Sequence, residues 1–346
     1  MKRVRTALVL LCALLTCLSG CGREEKSEPL GKVYFTYFDT VSYVYSYAGD
    51  PAEQFEERSA GVSRILQEYH QLFDIYHEYA GINNLCTVNK LAGGEPVAVD
   101  ERLIDFMLYA RELYEATDGE MNVMMGAVLS IWHDYRTAGT EDPDQAQVPP
   151  IEDLRSAAQH IDFSLLEIDE VNHTLRITDP EASIDVGALG KGYATEKAGQ
   201  YLYEQEAYGY VLNIGGNIRI IGTRPDGSSW RTGIRSPFGE GYVVNLNLAD
   251  TSCVTSGSYE RFYVVDGARY HHIIDRDTLM PADYFVSLVI VADDSGMADA
   301  LSTALFCMPY EEGLAAVERM DGVEALWIFE DESIRYSTGM KDKLAS

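Results

Sequence analysis

Four polar clusters interrupt otherwise apolar segments of this 346-residue chain, and each carries residue types that can do chemistry. The stretch IDVGALGKGYA, Ile184 to Ala194, sets Asp185 and Lys191 among three glycines after a short apolar run. Residues without side chains let backbone N–H groups approach an anion, and the helical spacing of the following YATEKAGQYLYEQ adds the positive end of a helix dipole. A standard P-loop is excluded, because only two residues separate Gly187 from Gly190, and Gly192 follows Lys191 where the magnesium-binding hydroxyl would stand. The segment alone reads equally as a tight strand-to-helix turn with a capping aspartate. In MADALSTALF, Asp299, Ser302 and Thr303 fall at i, i+3 and i+4, hence on one helical face. A carboxylate with a hydroxyl one turn later can supply oxygen ligands to Mg²⁺, which draws its remaining ligands from water and substrate phosphate. The same triplet also serves as a cap or an exposed face. YHHIIDRDTLMPA contains His271, His272 and Asp275. Adjacent strand residues face opposite sides, so one histidine can face a cleft, as a general base or phosphate ligand, while the other packs. Two structural histidines are the plainer alternative. TSGSYERF, Thr255 to Phe262, reads as a hydroxyl-rich turn entering a strand. G-x-S-x-G is absent around Ser256, so these hydroxyls suit turn caps or ligand contacts rather than a nucleophile elbow.

The elements that must position these clusters follow from hydrophobic period. KVYFTYFDTVSYVYSYAG reads as one or two strands, EQFEERSAGVSRILQEYHQLFDIY as a helix, and ERLIDFMLYARELYEATDG as a helix ended by Gly119. In the last, Leu103, Phe106, Met107, Ala110, Leu113 and Tyr114 recur at helical spacing and are core. TAGTEDPDQAQVPP, Thr137 to Pro150, is rich in Pro, Asp and Gln and reads as a surface excursion. Beyond Gly192 come a helix, the strand pair YVLNIGGNIRIIG, strands around WRTGI and YVVNLNL, and RFYVVDGARYHHIID, where Asp266 and Gly267 are the hairpin turn signal. FVSLVIVA, helices near DALSTALF and EEGLAAVERM, and the strand ALWIF close the chain. Strands in antiparallel groups with helices inserted make the class α+β, as one compact unit.

MKRVR followed by TALVLLCALLTCLSGC reads as an export signal, residues 1–20, and the sequence before Cys21 resembles a bacterial lipobox in which that cysteine is lipidated. A polar tether, residues 21–32, would link it to a domain spanning 33–346, outside the cytoplasm and anchored to the membrane. The remaining Cys86, Cys253 and Cys307 imply neither a disulfide framework nor a zinc site. The net charge of −28 becomes three units more negative once Lys2, Arg3 and Arg5 leave with the signal. That argues against nucleic acid as a partner and requires any bound phosphate to be held by a local site, with or without a metal. The 23 tyrosines suit a planar heterocycle, a sugar or an ordinary core, and do not discriminate.

Taken in order, FDT, GINNLCTVN, TDGEMN with SIW, IDVGALGKGYA, LNIGGNIRIIG, TSGSYERF, HHIID and DALSTALF resemble the ApbE family of FAD:protein FMN transferases, from about Tyr34 to Met340. The resemblance implies a T-fold-like α+β domain with antiparallel sheets and a deep flavin cleft. It implies Mg²⁺-dependent transfer of FMN from FAD, the substrate, to a threonine hydroxyl of an exported flavoprotein, with release of AMP. The acceptor would be a subunit of an Rnf- or Nqr-type pump or an extracellular electron-transfer lipoprotein. An FAD pyrophosphatase, or an FAD-binding lipoprotein without catalysis, would keep the same fold. By motif, Asp185 and Lys191 would touch FAD, and the Ala188 main-chain oxygen with Asp299, Ser302 and Thr303 would hold the metal. Phe38, in a motif closed by Thr40, and Tyr79, Glu120, Met121, Asn122 and Ile273 would line the flavin and adenine sites. His272 would activate the acceptor hydroxyl. Three positions depart from the family pattern: Arg276 replaces a proline, Leu279 follows Thr278 where glycine is usual, and Asn122 stands where aspartate is frequent.

Overall fold

Aromatic and β-branched residues dominate Leu30–Tyr37 (β1) and Thr40–Ser46 (β2), which pair antiparallel across the two-residue turn Phe38-Asp39. Both turn residues are left-handed, with φ of 52° and 50°, the turn whose twist matches a hairpin. In this computed structural model residues 28–345 are described; the expected export signal, Cys21 and most of the expected tether lie outside them.

The helix Ala52–Phe73 (α1) buries Phe55, Val62, Leu66, Tyr69, Leu72 and Phe73 in the main core. Asn84 and Asp100 cap Leu85–Lys90 (α2) and Glu101–Ala116 (α3) by accepting from Thr87 N–H and Arg102 N–H. Val97–Ala98 (β3), between them, joins Leu166–Asp169 (β4) and Thr174–Ile177 (β5) in a three-stranded sheet. Gly126–Glu141 (α4) and Ile151–Ala157 (α5) lie between α3 and β4. Five of the six residues expected as the core face of α3 are buried, and Tyr114 is partly so.

Gly190–Glu204 (α6) leads into Tyr210–Ile214 (β6) and Asn217–Ile221 (β7), a hairpin turned by Gly215 and Gly216 at φ 58° and 96°. Trp230–Arg235 (β8) and Tyr242–Leu248 (β9) form a separate ribbon, as do Phe262–Val265 (β11) and Ala268–His271 (β12) across Asp266-Gly267. Ser252–Gly257 (β10), Ser287–Ala292 (β13), Glu324–Ile328 (β14) and Ile334–Tyr336 (β15) complete an eight-stranded antiparallel sheet of order β1-β2-β6-β7-β10-β13-β14-β15. All six residues of β13 are buried, because one face packs with Ser295–Ala304 (α7) and Tyr310–Val317 (α8) and the other with the β8–β9 ribbon. The class is α+β, as the grouping of strands implies.

Three local readings change. Helix α4 runs through Thr137–Glu141, so only the rest of the expected surface excursion is irregular. A Cβ on Gly139 would come 2.6 Å from the Tyr263 ring, so the glycine that weakens the helix signal is what lets the β11–β12 ribbon pack on α4. Thr255 and Ser256 end strand β10 rather than open a turn. Helix α6 begins at Gly190, which puts Lys191 and Gly192 in its first turn. Cys86, Cys253 and Cys307 are buried free thiols.

Candidate active site

The first turn of α6 lies directly against α7. A Cβ on Gly192 would sit 2.3 Å from the Ser295 carbonyl oxygen and 2.4 Å from the Asp299 Cβ, so only glycine allows this approach. The approach redirects a hydrogen bond. Gly192 N–H, which in a continuous helix would donate to the Ala188 carbonyl, donates instead to Asp299 Oδ2 at 2.8 Å. No donor among the described residues reaches the Ala188 carbonyl. Lys191 Nζ stands 3.7 Å from Asp299 Oδ2 and donates to the Gly187 carbonyl at 3.2 Å. Asp299 is only 4% exposed, and Thr303, one turn on, is half-buried with a hydroxyl that no hydrogen bond of the described residues uses. Ser302 is differently placed: its hydroxyl donates to the Asp299 carbonyl at 2.8 Å and shares a hydrogen bond with Ser256 at 2.8 Å. One carboxylate, one free carbonyl and one free hydroxyl suit a hard cation that keeps water and substrate ligands. Among the described residues no three His, Cys, Asp or Glu side chains gather in a metal-holding group.

The two histidines differ in partners, and only His271 belongs to β12. His271 is buried at the end of β12, its Nε2 2.8 Å from the Ala282 carbonyl and its ring edge-on to Phe306. His272 has a buried Nδ1 with no partner. Burial, then the charges of Arg261, His271, Arg136 and Lys191, push its pKa down to about 3. Asp185, half-buried ahead of α6, accepts from Gly187 N–H at 2.8 Å. Burial raises its pKa, against the opposing pull of that N–H and of His133, Arg136 and Lys191.

An aromatic path runs beside these groups. Phe38 N–H donates to His70 Nδ1 at 3.3 Å, the Phe38 ring stands edge-on to His70 at 5.6 Å, and His70 in turn faces Tyr79 at 6.4 Å. A bulky residue at positive φ is uncommon and costs free energy, so the placement of Phe38 is held by its surroundings. The Tyr79 hydroxyl donates to Asp74 at 2.8 Å; burial first, then Asp74, raises its pKa to about 12. Tyr76 lies 5.3 Å from the His133 ring.

The other expected lining residues offer less side chain. Glu120 is held by Arg276, Nε to Oε1 3.2 Å. Met121 is buried in the main core, and Ile273 in the core beneath α7. Asn122 spends its amide within the fold, donating to the Ile161 carbonyl and accepting from Met124 N–H. The side chains of these three are engaged within the fold. Sequence reading missed His133 and Arg136, which meet on α4 with Arg136 Nη2 3.2 Å from His133 Nδ1, and whose charge, with that of Lys191, favours an ionised Asp185. The available signal was the i, i+3 spacing of His133 and Arg136 in SIWHDYR, which puts both on one face of α4. Two cavities, about 290 Å³ beside Tyr109 and Glu196 and about 710 Å³ beside His271 and Phe329, are not lined by Asp185, Lys191, His272 or Asp299.

A model described as the ApbE family matches residues 38–327. The chain is 31% identical to the FAD:protein FMN transferase of Treponema pallidum, covering 97% of this chain and 94% of that protein. It is 30% identical to the protein of the same name from Vibrio cholerae, over 91% of each. Among solved structures, the ApbE protein of Thermotoga maritima matches with a TM-score of 0.80 at 26% identity, over 92% of this chain and 100% of that one. The flavin transferase ApbE from Vibrio cholerae matches with a TM-score of 0.75 at 26% identity, over 92% and 99%.

Proposed function

This chain belongs to the ApbE family, and from that premise we propose that it cuts FAD at the diphosphate, joins FMN to a threonine hydroxyl of an exported protein and releases AMP. The observation that carries the proposal is the diverted hydrogen bond of Gly192, which goes to the buried Asp299 carboxylate and leaves the Ala188 carbonyl without a donor among the described residues, with Lys191 between Asp299 and the Gly187 carbonyl. That set fits Mg²⁺ held by Asp299, the Ala188 carbonyl and Thr303, with Ser302, whose hydroxyl already bonds the Asp299 main-chain carbonyl and Ser256, as a further oxygen nearby. When bound, the cation would offset diphosphate charge and make phosphorus a better electrophile.

The chain's own residues supply the rest. Threonine is a weak nucleophile at neutral pH. His272, neutral and with a free Nδ1, takes the hydroxyl proton as the new oxygen–phosphorus bond forms on the FMN side. The bridging oxygen leaves with AMP, and Lys191 offsets the charge appearing there. Asp185 and the glycine turn before α6 hold the diphosphate, while Phe38, Tyr79 and the backbone around Met121 and Asn122 bound the rings. A lipidated Cys21 would keep the site on the outer side of the membrane, where exported flavoproteins such as redox-pump subunits are met.

The test is to incubate the protein with FAD, Mg²⁺ and an exported acceptor domain carrying its threonine, and to take the acceptor's intact mass. A gain of one FMN residue that disappears with EDTA supports transfer. Free FMN and AMP without acceptor modification would make the enzyme a pyrophosphatase, and intact FAD a binding protein.

A further inference from the structure

Glu196 takes no part in the chemistry above, yet it is a carboxylate only 7% exposed on α6, one turn beyond Gly192. Its Oε2 accepts from Ser295 N–H at 3.0 Å and from Arg219 Nε at 3.1 Å. Ser295 opens α7, one turn before Asp299. The bond from Gly192 N–H to Asp299 Oδ2 joins the same two helices in the opposite direction. Gly192 and Glu196 thus meet Asp299 and Ser295, which sets α6 and α7 antiparallel with two bonds about 5.4 Å apart along the seam. One bond alone would leave α7 free to slide or turn about it, and the second removes that freedom.

The second bond is backed from the sheet. Arg219 on β7 is 6% exposed, its Nη1 donates to the Ile220 carbonyl at 2.9 Å, and its guanidinium lies over the Tyr203 ring at 5.5 Å. A Cβ on Gly199 would come 3.2 Å from the Arg219 Cγ, so that glycine gives the arginine room to reach Glu196. Beside it, Asp294 caps α7 by accepting from Met297 N–H at 2.7 Å and takes the Tyr109 hydroxyl of α3 at the same distance. A buried ion pair is often no more stabilising than apolar side chains of the same volume, and its best attested use is to fix register. Here the register is that of the helix carrying Asp299. Resting on the transferase reading and its cation site, we propose that Glu196, held by Arg219, is a positioning residue for that site: it fixes α7 along α6 and so the placing of the Asp299 carboxylate against the Ala188 carbonyl.

The experiment compares two variants of the whole chain that differ in the acceptor offered to Ser295 N–H. Glu196→Leu/Arg219→Met replaces the ion pair by apolar groups, which leaves no unpaired charge but takes the acceptor away. Glu196→Gln/Arg219→Met keeps an amide oxygen there. Mn²⁺ binding without flavin is followed by electron paramagnetic resonance of the free ion, and amide hydrogen exchange at Gly192 is followed without metal. The leucine variant is expected to bind Mn²⁺ about 10- to 100-fold more weakly, the usual loss when an outer partner of a metal ligand is removed. It should also exchange the Gly192 amide faster while the β13 amides stay unchanged. The glutamine variant should match the wild type in both. Equal Mn²⁺ affinity and Gly192 exchange in the two variants would overturn the assignment, as would Gly192 and β13 amides loosening alike, the mark of a purely stabilising pair. Should the leucine variant not fold, Glu196→Asp, one methylene shorter, is expected to weaken Mn²⁺ in the same direction, and wild-type affinity there would equally overturn it. A wild-type chain that binds no Mn²⁺ would overturn the cation site itself, while exchange at Gly192 would still test the helix register.

Discussion

Gly192→Ala pits helix propensity against packing, and the two predict opposite signs. Alanine in place of glycine inside a helix stabilises by about 0.5–1 kcal/mol when nothing else changes. Here the new methyl would lie 2.3 Å from the Ser295 carbonyl oxygen and 2.4 Å from the Asp299 Cβ. Carbon and carbonyl oxygen normally stay about 3.3 Å apart or more, so α6 and α7 must separate by roughly 1 Å. Both obstructing groups belong to the α7 helix and cannot swing aside as a long side chain would. Overpacking of this kind costs about 1–3 kcal/mol, and here it belongs at the upper end. After the propensity gain, the variant is expected to be less stable by about 2 kcal/mol in urea unfolding. The same displacement pulls the Asp299 carboxylate from Gly192 N–H and from the Ala188 carbonyl, and a shift of about 1 Å at a reacting site can cost on the order of 10²-fold in rate. Flavin transfer by the folded variant, followed by acceptor mass over a Mg²⁺ series, should fall accordingly. A variant at least as stable as wild type, with unchanged turnover and Mg²⁺ requirement, would refute the claim that helix approach builds this site.

Asp299→Asn preserves the shape and an acceptor for Gly192 N–H while removing the charge, so folding should change little and Mg²⁺-dependent turnover should be lost; an unaltered Mg²⁺ requirement would remove Asp299 from the metal set. His272 has a folded pKa of about 3 against an ordinary 6.5. Below pH 6.5 the unfolded chain therefore gains a proton that the folded one refuses, and stability falls by up to about 1.4 kcal/mol per pH unit from this residue until the folded pKa is reached. His272→Gln should flatten that slope in urea midpoints taken at successive pH values; equal slopes in the two proteins would argue against a neutral buried imidazole. Burial raises the Glu120 pKa and Arg276 opposes it. Arg276→Gln should cost about 1–2 kcal/mol at pH 7 and much less near pH 4, where Glu120 is protonated. A deficit of the same size at both pH values would mean that Arg276 acts by packing.

Much of the local architecture was readable because turn chemistry and side-chain period are properties of a few consecutive residues. Asp266-Gly267 and Gly215-Gly216 can take positive φ, and they turn the hairpins where expected. The Asp299 to Thr303 face follows from 3.6 residues per turn, whereas β12 ends at His271 and the setting of His272 is decided past the strand end. The same local logic misjudged α4, where Gly139 weakens the helix signal but makes room for Tyr263, more than a hundred residues later. It also could not show that the Ser302 hydroxyl is hydrogen-bonded while that of Thr303 is not, since the difference is a contact with Ser256 on another element.

From the sequence by itself come the α+β class, the family resemblance, and the residue types that could hold a diphosphate, a hard cation and a proton. Those are set by composition, spacing and order along one chain. Only the tertiary structure decides that Gly192 hands its N–H to Asp299, and that His271 finds the Ala282 carbonyl while the buried Nδ1 of His272 has no partner among the described residues. Each depends on elements far apart in sequence meeting at hydrogen-bond distance, and burial and charge act through that proximity.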